Sequence, residues 1–189
     1  MGDAKVIPNT FEELLEAEEY FAEIRINYWL KHDLYTWQWW LLLALLVIPW
    51  YFWWKLADKS KLKDIVIVGA LMVIIALNID ELGTEFNQWD YPHRLIPIYP
   101  QIMPVDLTIL PIFYMLLYQY CPRWQSYIPM LVIMSGMLAF IFEPLLNRLD
   151  MYKTIDWKYM YSFPIYSLIG IFLKLMVEKI KAISERTRK

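Results

Sequence analysis

The sequence predicts an all-α polytopic membrane protein, a bundle of about five transmembrane helices preceded by an amphipathic helix outside the bilayer. Three observations predict it. Hydrophobic residues make up 59% of the chain, against roughly 45–50% in a soluble domain. The excess is gathered into long runs almost free of charge, and about 20 such residues cross a hydrocarbon core as a helix. Tryptophans bracket the first run, with Trp37, Trp39 and Trp40 at one end and Trp50, Trp53 and Trp54 at the other; indole rings favour the headgroup level, so the two groups mark the two interfaces.

Residues 1–36 form the extramembrane segment. They are acidic and lack the short apolar core of a secretory signal, so the first span is expected to direct insertion. Within them, residues 9–31 read as a helix. Thr10 with Glu13 forms a capping box, each side chain satisfying a free N–H of the first turn. Leu14, Ala17, Phe21, Ile24 and Tyr28 then recur at steps of three and four, one stripe of a helix whose other faces carry Glu12, Glu16, Glu19 and Glu23. Such a stripe is expected to pack on the protein's own spans or on a partner. A lipid surface is the weaker candidate, because helices that lie on anionic headgroups usually present Lys and Arg.

The membrane bundle is expected over residues 37–178, with spans near 37–54, 65–82, 106–121, 127–146 and 159–177, and a basic tail at 179–189. Prolines interrupt the later spans (Pro111; Pro129 and Pro144; Pro164), which membrane helices tolerate when neighbours satisfy the freed carbonyls. The turn Pro122–Arg123–Trp124 is so short that the spans it joins form an antiparallel pair. Five spans put the loop at Lys55–Lys63, the Arg123 turn and the C-terminal tail on one side, with eleven of the eighteen basic residues. The excess of Lys and Arg marks the cytoplasmic side, so the expected topology has the N-terminus outside and the C-terminus in the cytoplasm.

Composition also excludes functions. The net charge of −2 comes with no separate basic stripe for nucleic acid. One cysteine, Cys121, forms no intrachain disulfide or thiolate metal cluster, and His32 and His93 are too few for a His-rich zinc site.

The informative residues are polar groups at membrane depth. The end of span two, the start of three, the end of four and the start of five share one face of the bilayer, and each delivers polar residues there. Span two brings Asp80 and Glu81; Asn78, Glu81, Glu85 and Gln88 share one helical face that is expected to point to protein or water. Asp106 opens span three. Glu143 lies near the end of four, in line with Gly136, Phe140 and Asn147. Tyr159, Tyr161 and Ser162 open five. The candidate binding residues are therefore Asp80, Glu81, Glu85, Asp106, Glu143, Tyr161 and Ser162, with Glu81, Asp106 and Glu143 as candidate metal ligands; such oxygens suit a hard divalent cation. The proline-rich loop with Tyr91–Pro92–His93–Arg94, Pro97, Pro100 and Pro104 is expected to cap this site. Plainer roles compete: Asp106 as a helix cap, Glu143 as the water boundary before Pro144, Glu85 as a solvated charge, and the tyrosines as interface anchors. Glu81 resists such a reading, since an ionisable group within a span is by default a functional candidate.

Residues 80–166 also resemble a family of small multipass membrane proteins from spore-forming Gram-positive bacteria. The likeness rests on Pro104–Val105–Asp106, Pro111 with Tyr114–Met115–Leu116, Phe142–Glu143–Pro144 and Tyr161–Ser162–Phe163–Pro164–Ile165–Tyr166. It implies a membrane topology and no activity.

Three functions follow as expectations. The first is binding or transport of a cation or cationic solute at an acidic extracytoplasmic site, since 16 of the 20 acidic residues fall outside on this topology. The second is a non-catalytic subunit or assembly factor, docking a membrane-protein partner or a second copy of itself within the lipid bilayer. The third is an enzyme acting on a lipid or isoprenoid with paired carboxylates as acid and base, although no nucleophile elbow or phosphate loop is present.

Overall fold

The computed structural model describes residues 8–99 and 102–186; Pro100 of the expected cap and the ends of the N-terminal segment and basic tail lie outside the described residues. The fold is almost entirely helical. Helix α1 (Phe11–His32) is followed by α2 (Trp37–Leu56) and, after a 3-10 turn at Lys59–Lys61, by α3 (Leu62–Glu85). A wide π-helical turn, Val105–Ile109, leads into α4 (Leu110–Tyr120). Helix α5 (Trp124–Met137) continues through a second π turn, Leu138–Phe142, into α6 (Glu143–Arg148), and α7 (Tyr159–Arg186) closes the chain.

Among the described residues four continuous helices are long and apolar enough to cross a membrane: Trp37–Leu56, Lys59–Glu85, Trp124–Arg148 and Tyr159–Arg186. This is compatible with a membrane location. The fifth expected span, Val105–Tyr120, is shorter; at 1.5 Å per residue it extends about 24 Å, less than the ~30 Å of hydrocarbon. It is also the most enclosed, with Leu110, Pro111, Ile112, Tyr114, Met115, Leu117 and Gln119 buried between its neighbours. A helix walled by protein has its ends satisfied by protein, so it need not reach both interfaces itself. On the other four, apolar side chains such as Val47, Ile48, Ile74, Ile133, Ile141 and Leu168 face outward.

The passes alternate, and cross-links at each end fix the alternation. At the basic end, Gln119 of α4 accepts the Asp58 N–H at 2.9 Å and donates to the Leu56 carbonyl at 2.9 Å. Lys181 of α7 pairs with Asp64 of α3 at 3.4 Å. Lys174 is fully buried there. Its ammonium donates to the Pro122 carbonyl at 2.8 Å, lies 3.4 Å from Glu178, and sits over the rings of Tyr127 and Trp124, so α7 ties down the α4–α5 turn. At the opposite, acidic end, Asn87 and Asp150 adopt left-handed conformations (φ 52° and 56°) that Asn and Asp tolerate, stopping α3 and α6. The chain then turns into a two-residue antiparallel ribbon, β1 (Trp89–Asp90) against β2 (Lys153–Thr154).

Two apolar cores result. One fills the bundle, from Ile65, Val68 and Met72 of α3 to Tyr114, Leu131 and Leu173. The other lies at the acidic end, where Leu42 of α2 packs with Trp89, Tyr91, Leu95, Ile102, Met151 and Tyr152 from the loops. The proline-rich loop thus does fold over the bundle end. Ile79 and Val105 touch both cores.

Helix α1 departs from expectation. Thr10 accepts the Glu13 N–H at 3.2 Å, but the Glu13 carboxylate accepts from Asn9, one residue earlier than a reciprocal box requires. No residue of α1 is buried, and Leu14, Ala17, Phe21, Ile24 and Tyr28 are all exposed. The stripe does not pack on the protein's own spans; only the last turns are tied to the loop, Trp29 donating to the Arg94 carbonyl at 2.9 Å. At the other terminus α7 runs on as helix past the expected end of the fifth span at 177, to Arg186.

Close helix approach depends on Gly170. A Cβ there would collide with Leu131 and crowd Tyr114, while the Gly170 carbonyl accepts the Tyr127 hydroxyl at 2.8 Å. Gly170→Ala is expected to destabilise the bundle by about 1–3 kcal/mol through overpacking, read as an earlier midpoint in denaturant-titrated detergent; an unchanged midpoint would contradict this packing.

Candidate functional site

The site begins with the residue that α3 turns inward. Val68, Met72, Ala76 and Asp80 follow one another at intervals of four on the buried face, so Asp80 continues an apolar ridge into the bundle. Glu81 is rotated about 100° from it and is exposed, as are Asn78 and Glu85. The face shared by Asn78, Glu81 and Glu85, expected to meet protein or water, lies on the exposed side, so Glu81 and Glu85 do not join the site and it is Asp80 that α3 turns inward. The Asn78 amide turns back to the Ile74 carbonyl of its own helix at 2.7 Å.

Asp106 and Glu143 reach the interior through the two π turns. Pro111 and Pro144 have no N–H for the carbonyl four residues earlier, and their rings crowd it. In each case the helix widens one turn upstream rather than ending. The Leu110 N–H reaches back five residues to Val105, and the Glu143 N–H to Leu138. The extra residue shifts the register and brings one carboxyl inward at each turn. Asp106 therefore sits in protein, not at a solvated helix start, and Glu143 is not a water boundary. Asp80, Asp106, Glu143 and Ser162 are 6%, 4%, 8% and 5% exposed.

All four line a cavity of about 90 Å³ walled by α3, α4, α6, α7 and the overlying loops. Asp80 and Asp106 touch each other through their side chains. One Asp80 oxygen, Oδ1, accepts from the Trp89 indole at 2.7 Å and from the Tyr91 hydroxyl. Trp89 can reach it because its ring lies flat where a Cβ on Gly83 would be. The Oδ2 atoms of Asp80 and Asp106 are buried and have no donor. Burial raises the Tyr91 hydroxyl well above its ordinary range, with the charges of Asp80 and Asp106 adding to it, so Tyr91 remains a donor.

Glu143 is different, because both its oxygens are satisfied. Ser162 donates to Oε2 at 3.0 Å, Tyr166 donates to Oε1 at 2.8 Å, and the Trp157 indole donates to Ser162 at 2.8 Å. Among the described residues no Lys or Arg lines the cavity.

Of the seven residues predicted from sequence, the structure brings Asp80, Asp106, Glu143 and Ser162 together. Glu81, Glu85 and Tyr161 are exposed. The expected metal triad of Glu81, Asp106 and Glu143 is thus not assembled, because Glu81 points away from the cavity; among the described residues no three His, Cys, Asp or Glu gather as metal ligands. Trp89, Tyr152, Trp157 and Tyr166 complete the wall and were not among the predicted site residues. Gly83, three residues after Asp80, marks where an indole could approach. Ser162 and Tyr166 follow at helical spacing, with Trp157 just before the helix, but nothing in sequence joins them to Glu143.

A second, apolar groove of about 290 Å³ runs between α4 and α5, from Phe113 and Phe142 to Tyr120 and Met130, and shares no lining residue with the carboxyl cavity. No protein-family model, curated protein or solved structure matches the chain.

The hydrogen bonds at Glu143 make a prediction. Tyr166→Phe leaves Oε1 buried without a donor and is expected to cost about 1–3 kcal/mol. Glu143→Gln is expected to cost less, since the Ser162 hydroxyl can turn to accept from the new amide. Denaturant titration of both variants in detergent checks the order; Glu143→Gln proving the more damaging would contradict it.

Proposed function

We propose that this chain is a polytopic membrane protein that binds or transports a proton or small inorganic cation at the Asp80–Asp106 pair. One observation carries the reading: two buried carboxyls touch, and the Oδ2 atom of each has no donor. Carboxylate oxygens are acceptors only. Their contact is stable when a positive species lies between them, whether a proton or a bare cation, and otherwise the like charges repel in low dielectric. The lack of basic residues among the described residues of the cavity wall supports the same reading, because none of them neutralises the pair.

Size narrows the ligand. A cavity of about 90 Å³ has room for a few waters and is small for an organic cation. A hard divalent ion takes six or more oxygens, and Glu143 has committed both of its own, so a proton or small monovalent ion fits better. On the proposed topology, with the N-terminus outside and the C-terminus in the cytoplasm, the pair lies just beneath the extracytoplasmic surface among most of the acidic residues. The resemblance to the spore-former family adds topology and no chemistry.

The partner-binding reading keeps one observation in its favour: α1 has no buried residue, and Phe11, Leu15, Phe21 and Ile24 are exposed. It is compatible with ion binding in the same chain. The lipid-modifying reading draws no support from the apolar groove, which reaches none of the carboxyls.

Purified protein in detergent tests the ion site. Titration with Li⁺, Na⁺, K⁺ and Mg²⁺ at fixed pH, and with acid at fixed salt, is expected to show about one ion bound or one proton taken up at the pair, as one positive charge offsets the contact. Asp80→Asn and Asp106→Asn are each expected to abolish that step. Both variants titrating as wild type would remove the reading.

A further inference from the structure

A third cavity, of about 310 Å³, lies between the C-terminal half of α1 and the loop that covers the carboxyl pair. Phe21, Tyr28 and Trp29 of α1 face Asp90, Tyr91 and Pro97 across it. Its walls are held by tertiary bonds: Asp33 accepts from His93 at 2.9 Å and from the Arg94 N–H at 3.2 Å, and Trp39 donates to the Leu95 carbonyl at 3.0 Å. Arg25 and Arg94 also line it, and Arg94 pairs with Asp90 at 2.7 Å, so its two carboxylates are balanced by two guanidiniums and the faces of Tyr28 and Trp29 are what is left to meet a cation.

Tyr91 lines this cleft and also lines the carboxyl cavity, and among the described residues it alone is common to the two linings. Its hydroxyl is bonded to Asp80 and its ring packs on Tyr152 at 5.6 Å, while its N–H is held by Asp90 on the cleft side at 2.7 Å. One side chain therefore stands between an outer, wider space and an inner, narrow one, bonded directly to the group that would receive the ion.

We infer that the cleft beneath α1 is the entrance to the Asp80–Asp106 pair and that Tyr91 is the barrier an arriving ion displaces. The inference rests on the ion-binding reading above and adds to it a route, a gate and a role for α1. Ring rotation at Tyr91 breaks one hydrogen bond to Asp80 and joins the two spaces; the entering cation replaces the lost donor at the Asp80 oxygen. The narrow inner space then admits the ion without its hydration shell, which selects small inorganic cations over organic ones.

Silver ion, a small thiophilic cation, is a suitable probe. In a Cys121→Ser background, Ala76→Cys places a thiol on the cavity wall one turn below Asp80, and the rate of its reaction with Ag⁺ is followed in detergent by the thiol left for labelling after quenching and denaturation. Tyr91→Phe, which keeps the ring, is expected to speed the reaction about tenfold, the effect of one hydrogen bond to a carboxylate removed from a barrier. Ile24→Trp, which fills the cleft from the exposed face of α1 and leaves the loop intact, is expected to slow it about as much. Equal rates in all three proteins would overturn the entrance, whatever the ion titrations of Asp80→Asn and Asp106→Asn report. Loss of the titration step only in those aspartate variants, with Ag⁺ rates still governed by Tyr91 and Ile24, would confirm site and route together.

Discussion

Two carboxyl groups in contact, buried and with donorless oxygens, set the terms for the rest of the acidic end. A pair of acceptors does not stay together in a low-dielectric interior unless something positive joins them. Around Asp80 and Asp106 no lysine or arginine stands among the described residues. The protein supplies neutral donors instead, an indole and a phenol, and both act on the same Asp80 oxygen. That arrangement fixes the orientation of Asp80 and leaves its second oxygen without a donor.

The surrounding architecture serves this placement. Proline in a helix usually shortens it, yet α4 and the α5–α6 segment run past Pro111 and Pro144 by widening a single turn. Each widening lies next to a carboxyl and directs it inward. Gly83 removes a side chain where the Trp89 ring must lie. The β1–β2 ribbon holds Trp89 over the bundle, and the loop beyond it carries Tyr91 to Asp80. Glu143 belongs to the same cavity with a different role: two hydroxyls satisfy it, which makes it a cross-link between α6 and α7. The basic end shows the opposite solution to burial, since Lys174 is enclosed by carbonyls, a carboxylate and aromatic rings and lacks nothing.

Much of the fold was legible in the chain. The starts of α2 and α7 fall where the apolar runs and tryptophans place them, and the other boundaries move by three residues or fewer except at the end of α7. That Asp80, Asp106, Glu143 and Ser162 lie at one end of the bundle followed from alternation, because alternate helix ends must share a face. Which acid of the Asp80–Glu81 pair turns inward was also present in the sequence, as the four-residue spacing of Val68, Met72, Ala76 and Asp80. The polar spacing of Asn78, Glu81 and Glu85 was the more conspicuous pattern, and it marks the exposed face of α3, not the one that carries the site.

By itself, then, the sequence determined the helical class, the order and direction of the passes and the end where the acids meet, because hydrophobic length and interface residues act locally along the chain. Only the tertiary structure decided the rotation of each helix, the two widened turns, the cover of Trp89 and Tyr91, and the donorless contact between Asp80 and Asp106. Those depend on which side chains fit against one another across helices, where a hundred degrees of rotation exchanges a buried carboxyl for an exposed one.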